Sequence, residues 1–387
     1  MASVAVGEPA DHVSRETNAR RQGRVDVGEE APMEDEAAIA VREAALRAAA
    51  EVRPDLEESS PDGAPDSSDV SRETMEMTTQ TASYSSAGHA ASVMPPAPLM
   101  VDNDTLARAA RVTFRIKPRH DHGAQRVMAV ANQKGGVGKS TTAVNLGAYL
   151  AIAGARVLIV DLDPQGNAST GLGLDHRQIE QSVYEVLTGD LDASAAIRST
   201  AVGNLEVLPS TIDLAGAEVE LVSAISRESR LQRALSAVRP AYDTILIDCP
   251  PSLGLLTVNA LAAADALLIP IQCEYYALEG LGQLLRNVDL VRANLNPQLQ
   301  VGGIVLTMYD GRTRLAEQVV YEVRKHFTDI VYRTVVPRSV RLSESPGYGV
   351  PIALYDPLSR GGIAYRDLTM EFAARAGLLV STSEGAS

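Results

Sequence analysis

Between Lys134 and Ser140 the chain reads KGGVGKS, and no other stretch of its 387 residues is as well suited to holding an anion. Backbone N–H groups around Gly135, Gly136, Val137 and Gly138 can converge on a phosphate, and a helix opening at Lys139-Ser140-Thr141 adds its partial positive charge. Lys139 then reaches the β- and γ-phosphates, and the Ser140 hydroxyl ligates Mg²⁺. The usual GxxxxGK[ST] spacing is not met, because its first glycine falls on Gln133. A second lysine, Lys134, stands at the loop entrance instead, where a phosphate served by Lys139 has no use for it. Three carboxylates extend the chemistry: Asp161 and Asp163, two residues apart where the chain leaves its apolar run in VLIVDLDPQGN, and Asp248 at the end of the run in TILIDCPPSLG. Asp163 suits the orientation of an attacking water, Asp161 the neighbourhood of the metal, and Asp248 the holding of Mg²⁺ through water. In isolation Asp161 and Asp163 read equally well as residues that cap and turn the chain. The phosphate loop tips the balance toward chemistry.

Side chains so far apart in sequence must be gathered by a scaffold. Apolar runs at 127–131, 157–161, 205–208, 244–248, 266–271, 303–307 and 330–336 alternate with helical patterns. That alternation predicts an α/β fold with a mostly parallel twisted sheet and helices on both faces, its nucleotide chemistry at the carboxyl ends of the strands. Leu221 and Ile225, then Leu231, Leu235 and Val238, keep three- and four-residue spacing within each group, which predicts one buried stripe. About 255 residues suffice for a full core.

Outside that region the composition changes. Residues 1–100 hold 19 acidic and 8 basic side chains, so −11 of the net −14 lies there. Almost without aromatics, this stretch cannot bury enough surface to offset ordering entropy. We divide the chain into a disordered acidic tail and linker (1–120), one ATPase domain (121–379) and a disordered end (380–387). Within the tail only the Ala-rich piece 36–53 has good helix propensity. Two cysteines, Cys249 and Cys273, both at strand ends, exclude a disulfide framework. No run of about 18 apolar residues and no signal-peptide pattern occurs, which predicts a soluble cytoplasmic protein without membrane insertion.

Taken together, KGGVGKSTT, VLIVDLDPQGN, ILIDCPPSLG, IPIQCEYYALEG, LTMYDGRT and VPRSVRLSESPGYG resemble the ParA (Soj) family of chromosome-partitioning ATPases over residues 126–376. The resemblance implies a P-loop NTPase-like fold with a deviant Walker motif, and cofactors ATP and Mg²⁺. It implies slow ATP hydrolysis stimulated by a ParB-type centromere-binding partner, an ATP-dependent homodimer, and nonspecific binding to nucleoid DNA. Under it Lys134 acquires a use, as the lysine that reaches the partner protomer's nucleotide and supplies charge in trans. Met308, Pro337 and Arg338 would lie near the adenine. Arg312 and Arg341 would bind DNA, with Arg314, where the family often has Asn, as a further contact. Charge agrees, since residues 311–345 hold seven Arg or Lys against four acids, and phosphate binding of that kind weakens steeply with salt. The QCEYYALEG segment (272–280) has no chemical role that the sequence assigns. Tyr275 and Tyr276 read as packing or dimer-interface residues, and His326 as a surface histidine.

Other members of the wider superfamily fit less well. A MinD-type positioning ATPase, the main alternative, needs an amphipathic basic helix where this chain ends AGLLVSTSEGAS. A relative of the nitrogenase iron protein would use paired cysteines, but Cys249 and Cys273 read as packing. A tyrosine-kinase relative would need a C-terminal tyrosine cluster. One oddity is left in the tail, where VSRET occurs at both 13–17 and 70–74. It leaves three readings: a short binding motif, coincidence, or a by-product of DNA. One of its codings, GTTTCACGTGAAAC, is an inverted repeat that resembles a bacterial centromere core, and the codons at both copies decide.

Overall fold

The computed structural model describes residues 102–117, 126–274 and 277–379; expectations placed on 1–101, on 380–387 and on Tyr275 and Tyr276 fall outside them. Among the described residues, the strands are β1 (Arg126–Val130), β2 (Val157–Asp161), β3 (Arg198–Ser199), β4 (Leu205–Leu208), β5 (Thr244–Asp248), β6 (Ala266–Gln272), β7 (Gln300–Tyr309) and β8 (Val331–Pro337). They form one sheet in the order β3-β4-β2-β5-β1-β6-β7-β8. All neighbours are parallel except β3 and β4. The two-residue β3 has too little sequence to show a pattern. β7 begins three residues earlier and ends two later than its apolar run, because polar and half-buried residues extend its pairing at the sheet edges.

Every side chain of β2 and β5 is buried, as expected where helices cover both faces of a parallel sheet. Alternate residues feed two cores. Ala129, Leu158, Val160, Ile245 and Ile247 join one, and Met128, Val130, Val157, Ile159 and Leu246 join the other. The helix Lys139–Ile152 lies over the second face, and Gly147 allows its close approach, since a Cβ there would come within 2.9 Å of Ile159 Cδ1.

Two expectations change. The proposed stripe is interrupted: Leu221, Leu231, Leu235 and Val238 are buried, but Ile225 is 89% exposed. Helices Leu214–Glu220 and Arg230–Ser236 are separate, and between them Ala224 is extended and Ser226 left-handed, so helical spacing does not carry through. The stretch 102–117, assigned to the linker on composition, contains a helix at Asn103–Ala109 docked on the domain. Leu106, Ala107, Ala110, Phe114 and Ile116 are buried in the second core. Asn103 donates to the carbonyls of Ala151 and Gly203, and Ile116 pairs with Leu379.

Candidate nucleotide site

The phosphate loop hangs from the end of β1 and is tied down from β6 and β7. Asn132 donates to the Pro270 carbonyl at 2.7 Å while its own oxygen accepts the Lys134 N–H at 3.0 Å. The Thr307 hydroxyl donates to the Val137 carbonyl at 2.8 Å. Gly138, with φ +88°, then turns the chain into the helix that begins at Lys139, a backbone state that favours glycine. These ties leave the loop N–H groups free to face a cavity of about 360 Å³, bordered by Gly135, Gly136, Gly138, Lys139, Ser140 and Thr141.

Strand register brings the acids together. Asp161 and Asp248 pair across β2 and β5, and Val130, just before the loop, pairs with Asp248 on its other side. Asp161 and Asp248 have no exposed surface, and Asp163 is 6% exposed. Asp161 is hydrogen-bonded from within: one oxygen accepts the Ser169 N–H and hydroxyl, both at 2.7 Å, and the other the Asp163 N–H at 3.2 Å. Burial raises its pKa to about 6 against the pull of the Ser169 bonds. Its geometry makes it a buried brace for the loop after β2, placed beside Asp248 on the neighbouring strand. Asp163 does border the cavity, with one oxygen accepting the Gln165 N–H at 3.0 Å.

Asp248 is the opposite case. Neither of its carboxylate oxygens has a well-formed hydrogen bond although both are sealed from solvent. Burial raises its pKa well above the ordinary carboxylate range, the Asp161 charge adds to this, and the nearby Ser140 hydroxyl and Lys139 oppose it. An orphaned buried carboxylate beside a hydroxyl, under a loop of N–H groups, fits a divalent cation bound together with phosphate. Among the described residues no group of three or more His, Cys, Asp or Glu is placed to hold a metal, so further ligands would come from phosphate oxygens and water. Lys139 is 6% exposed and donates to the Lys134 carbonyl at 3.2 Å. Burial lowers its pKa, while Asp248 and Asp163 counter that effect.

Lys134 turns the other way. Its ammonium does not border the cavity but pairs with Glu274 Oε2 at 2.9 Å. The Val137 side chain is likewise buried beneath the loop rather than in the cavity. On the far wall Met308, at φ +51°, lines the cavity with Ser345, Pro346 and Val350, whereas Pro337 and Arg338 do not. The Arg338 N–H continues the sheet by donating to the Tyr309 carbonyl, which holds that segment against β7. Sequence reasoning missed Asn145, Thr170 and the Ser345-Pro346 wall. Asn145 had one signal, a strongly polar residue within the mainly apolar stretch 143–152, and its oxygen accepts the Ile352 N–H.

The arginines expected on DNA lie at this same end of the sheet, because β7 and β8 are neighbours paired at Tyr309 and Pro337. Arg312, 87% exposed, grips Asp310 through two nitrogens and holds that carboxyl down at about 2. Arg341 bridges Glu344 and Asp356 and sits over the Tyr355 ring. Arg314 opens the helix Arg314–His326 and is exposed. His326 is not the surface residue expected: its side chain is 11% exposed and lies 3.4 Å from Glu322.

Comparison with known proteins now bears on this geometry. The sequence pattern of an AAA domain matches residues 125–301. The sporulation initiation inhibitor Soj of Bacillus subtilis is 61% identical over 249 residues, covering 64% of this chain and 98% of that protein. The chain belongs to the Soj/ParA family. The chromosome partitioning protein ParA of Myxococcus xanthus is 54% identical, covering 65% of this ParA-family chain and 88% of the relative. Among solved structures, a cobyrinic acid a,c-diamide synthase of Mycobacterium smegmatis with bound ADP and magnesium is 41% identical, with TM-score 0.57 over 65% of this chain and 96% of that one. The septum site-determining protein MinD of Pyrococcus horikoshii, complexed with Mg-ADP, is 27% identical with TM-score 0.54, covering 65% and 98%.

Proposed function

We propose that this chain is a chromosome-segregation ATPase that binds Mg²⁺–ATP in the cavity beneath its phosphate loop, dimerises on ATP, and then binds DNA without sequence preference. Magnesium supplies charge neutralisation on the phosphates when bound, and Asp248 and Ser140 are the residues that would hold it. Lys139, buried between acids and next to the loop, neutralises the nucleotide's own phosphates. Asp163 accepts a hydrogen bond from an attacking water and sets its line of approach. Hydrolysis is slow until a ParB-type centromere-binding partner accelerates it, and the protein acts in the cytoplasm on the nucleoid. No helix among the described residues is long and apolar enough to cross a membrane.

The observation that supports this reading best is the orientation of Lys134. A lysine at the mouth of a phosphate loop that points out of its own cavity, 40% exposed, is available to a nucleotide on another protomer. Co-sedimentation with DNA in ATP, ADP or no nucleotide tests the reading. Retention should appear with ATP alone, and Arg312→Glu with Arg341→Glu should abolish it without preventing dimerisation. Equal retention in all three states, or retention by anionic vesicles in place of DNA, would sink it.

A further inference from the structure

The segment Gln272–Glu274 lies outside the cavity, and the family resemblance gave it no task. The fold gives it a neighbour. β6 runs beside β1, so the residues just past Gln272 arrive next to the start of the phosphate loop. There Glu274 meets Lys134 at 2.9 Å, with the two side chains 49% and 40% exposed. The other carboxylate oxygen of Glu274 accepts a hydrogen bond from the Gln272 side chain, so the carboxylate is aimed before it meets the lysine. The backbone at the loop entrance is already fixed by Asn132. The ion pair is therefore not needed to hold the loop, and what it decides is where the Lys134 side chain rests.

We propose that Glu274 is the resting seat of Lys134, a positioning residue that neutralises and parks the lysine in the free protomer. Dimerisation then exchanges this carboxylate for the phosphate chain of the nucleotide on the second protomer. The proposal rests on the trans role of Lys134 given above and adds its regulation. A half-exposed ion pair is weak enough to be exchanged rather than kept. A triphosphate offers the ammonium more negative charge and more acceptor oxygens than one carboxylate, and more than a diphosphate does. The seat thus raises the charge that a partner site must present, which favours ATP-loaded partners over ADP-loaded ones.

The test is Glu274→Gln in the full-length chain, which keeps the size and polarity of the side chain and removes its charge. Dimerisation is measured by analytical ultracentrifugation with Mg²⁺ and a non-hydrolysable ATP analogue, at about 50 mM and about 500 mM salt. Freeing each lysine should tighten the dimer about two- to fivefold, hence about 4- to 25-fold for a symmetric dimer that frees two. The gain should shrink at high salt, where the exposed pair is screened. Analogue affinity of the monomer should not change, since Glu274 does not border the cavity. An unchanged or weakened dimer, or a gain equal at both salts, overturns the proposal. Lys134→Ala separates the two layers. If it dimerises like the parent protein, the trans-lysine reading itself fails; if it stays monomeric while Glu274→Gln has no effect, only the resting seat fails.

Discussion

Asp248→Asn removes a charge that the apo protein has every reason to reject. Both carboxylate oxygens are sealed from water without a well-formed hydrogen bond, the Ser140 hydroxyl and Lys139 offset the burial only in part, and the buried Asp161 carboxyl is its partner across the sheet. An unsatisfied buried polar group costs about 1–3 kcal/mol, and more when charged. Replacing this carboxylate with its neutral isostere should therefore stabilise the metal-free protein by about 2 kcal/mol at pH 7. For a domain of about 250 residues that raises Tm by about 4–8 °C, readable by scanning calorimetry in EDTA. The pH dependence has a definite sign. A carboxyl whose folded pKa lies above its unfolded value binds extra protons in the native state, so stability falls as pH rises from the ordinary carboxylate range toward the raised value. Burial and the Asp161 charge both raise Asp248. The advantage of the asparagine variant should accordingly be small near pH 4 and grow toward neutrality. With Mg²⁺ and ATP the ranking should reverse, because the parent carboxylate gains a cation and the variant does not. A variant that melts at or below the parent at pH 7 in EDTA would refute the account of Asp248 as an uncompensated buried charge.

Two further outcomes are expected. Asp163→Ala should still dimerise on ATP and remain on DNA, while phosphate release falls about 100-fold or more, in the range typical for loss of a proton-handling group; hydrolysis at the parent rate would remove Asp163 from the mechanism. Phe114→Ala should cost about 3–5 kcal/mol and lower Tm by about 10 °C, as for an aromatic side chain lost from a core. Phe114 is 8% exposed and belongs to the same buried core as the helix Lys139–Ile152, so an unchanged melt would mean that 102–117 is not docked on the domain.

Much of this protein was legible from local pattern. A strand buried on both faces must be an unbroken apolar run, so the cores of β1, β2, β5 and β6 show in the sequence, as does the loop whose glycines and lysines have few other uses. The sequence by itself also placed Asp248 at the end of its strand and Asp163 just past the end of β2. Register and packing decided the rest. Asp161 and Asp163 are two residues apart and chemically alike, yet one bonds Ser169 and the other borders the cavity, because the strand ends at Asp161 and the two-residue period that would keep both side chains on one face ends with it. Ile225 fell from the core because spacing cannot register the backbone break at Ala224–Ser226. The docking of 102–117 escaped composition, since a few apolar residues among charges count only once a complementary surface exists. The same holds for Lys134 and Glu274, 140 positions apart. Their types were visible from the start, but only the parallel pairing of β1 and β6 makes them neighbours.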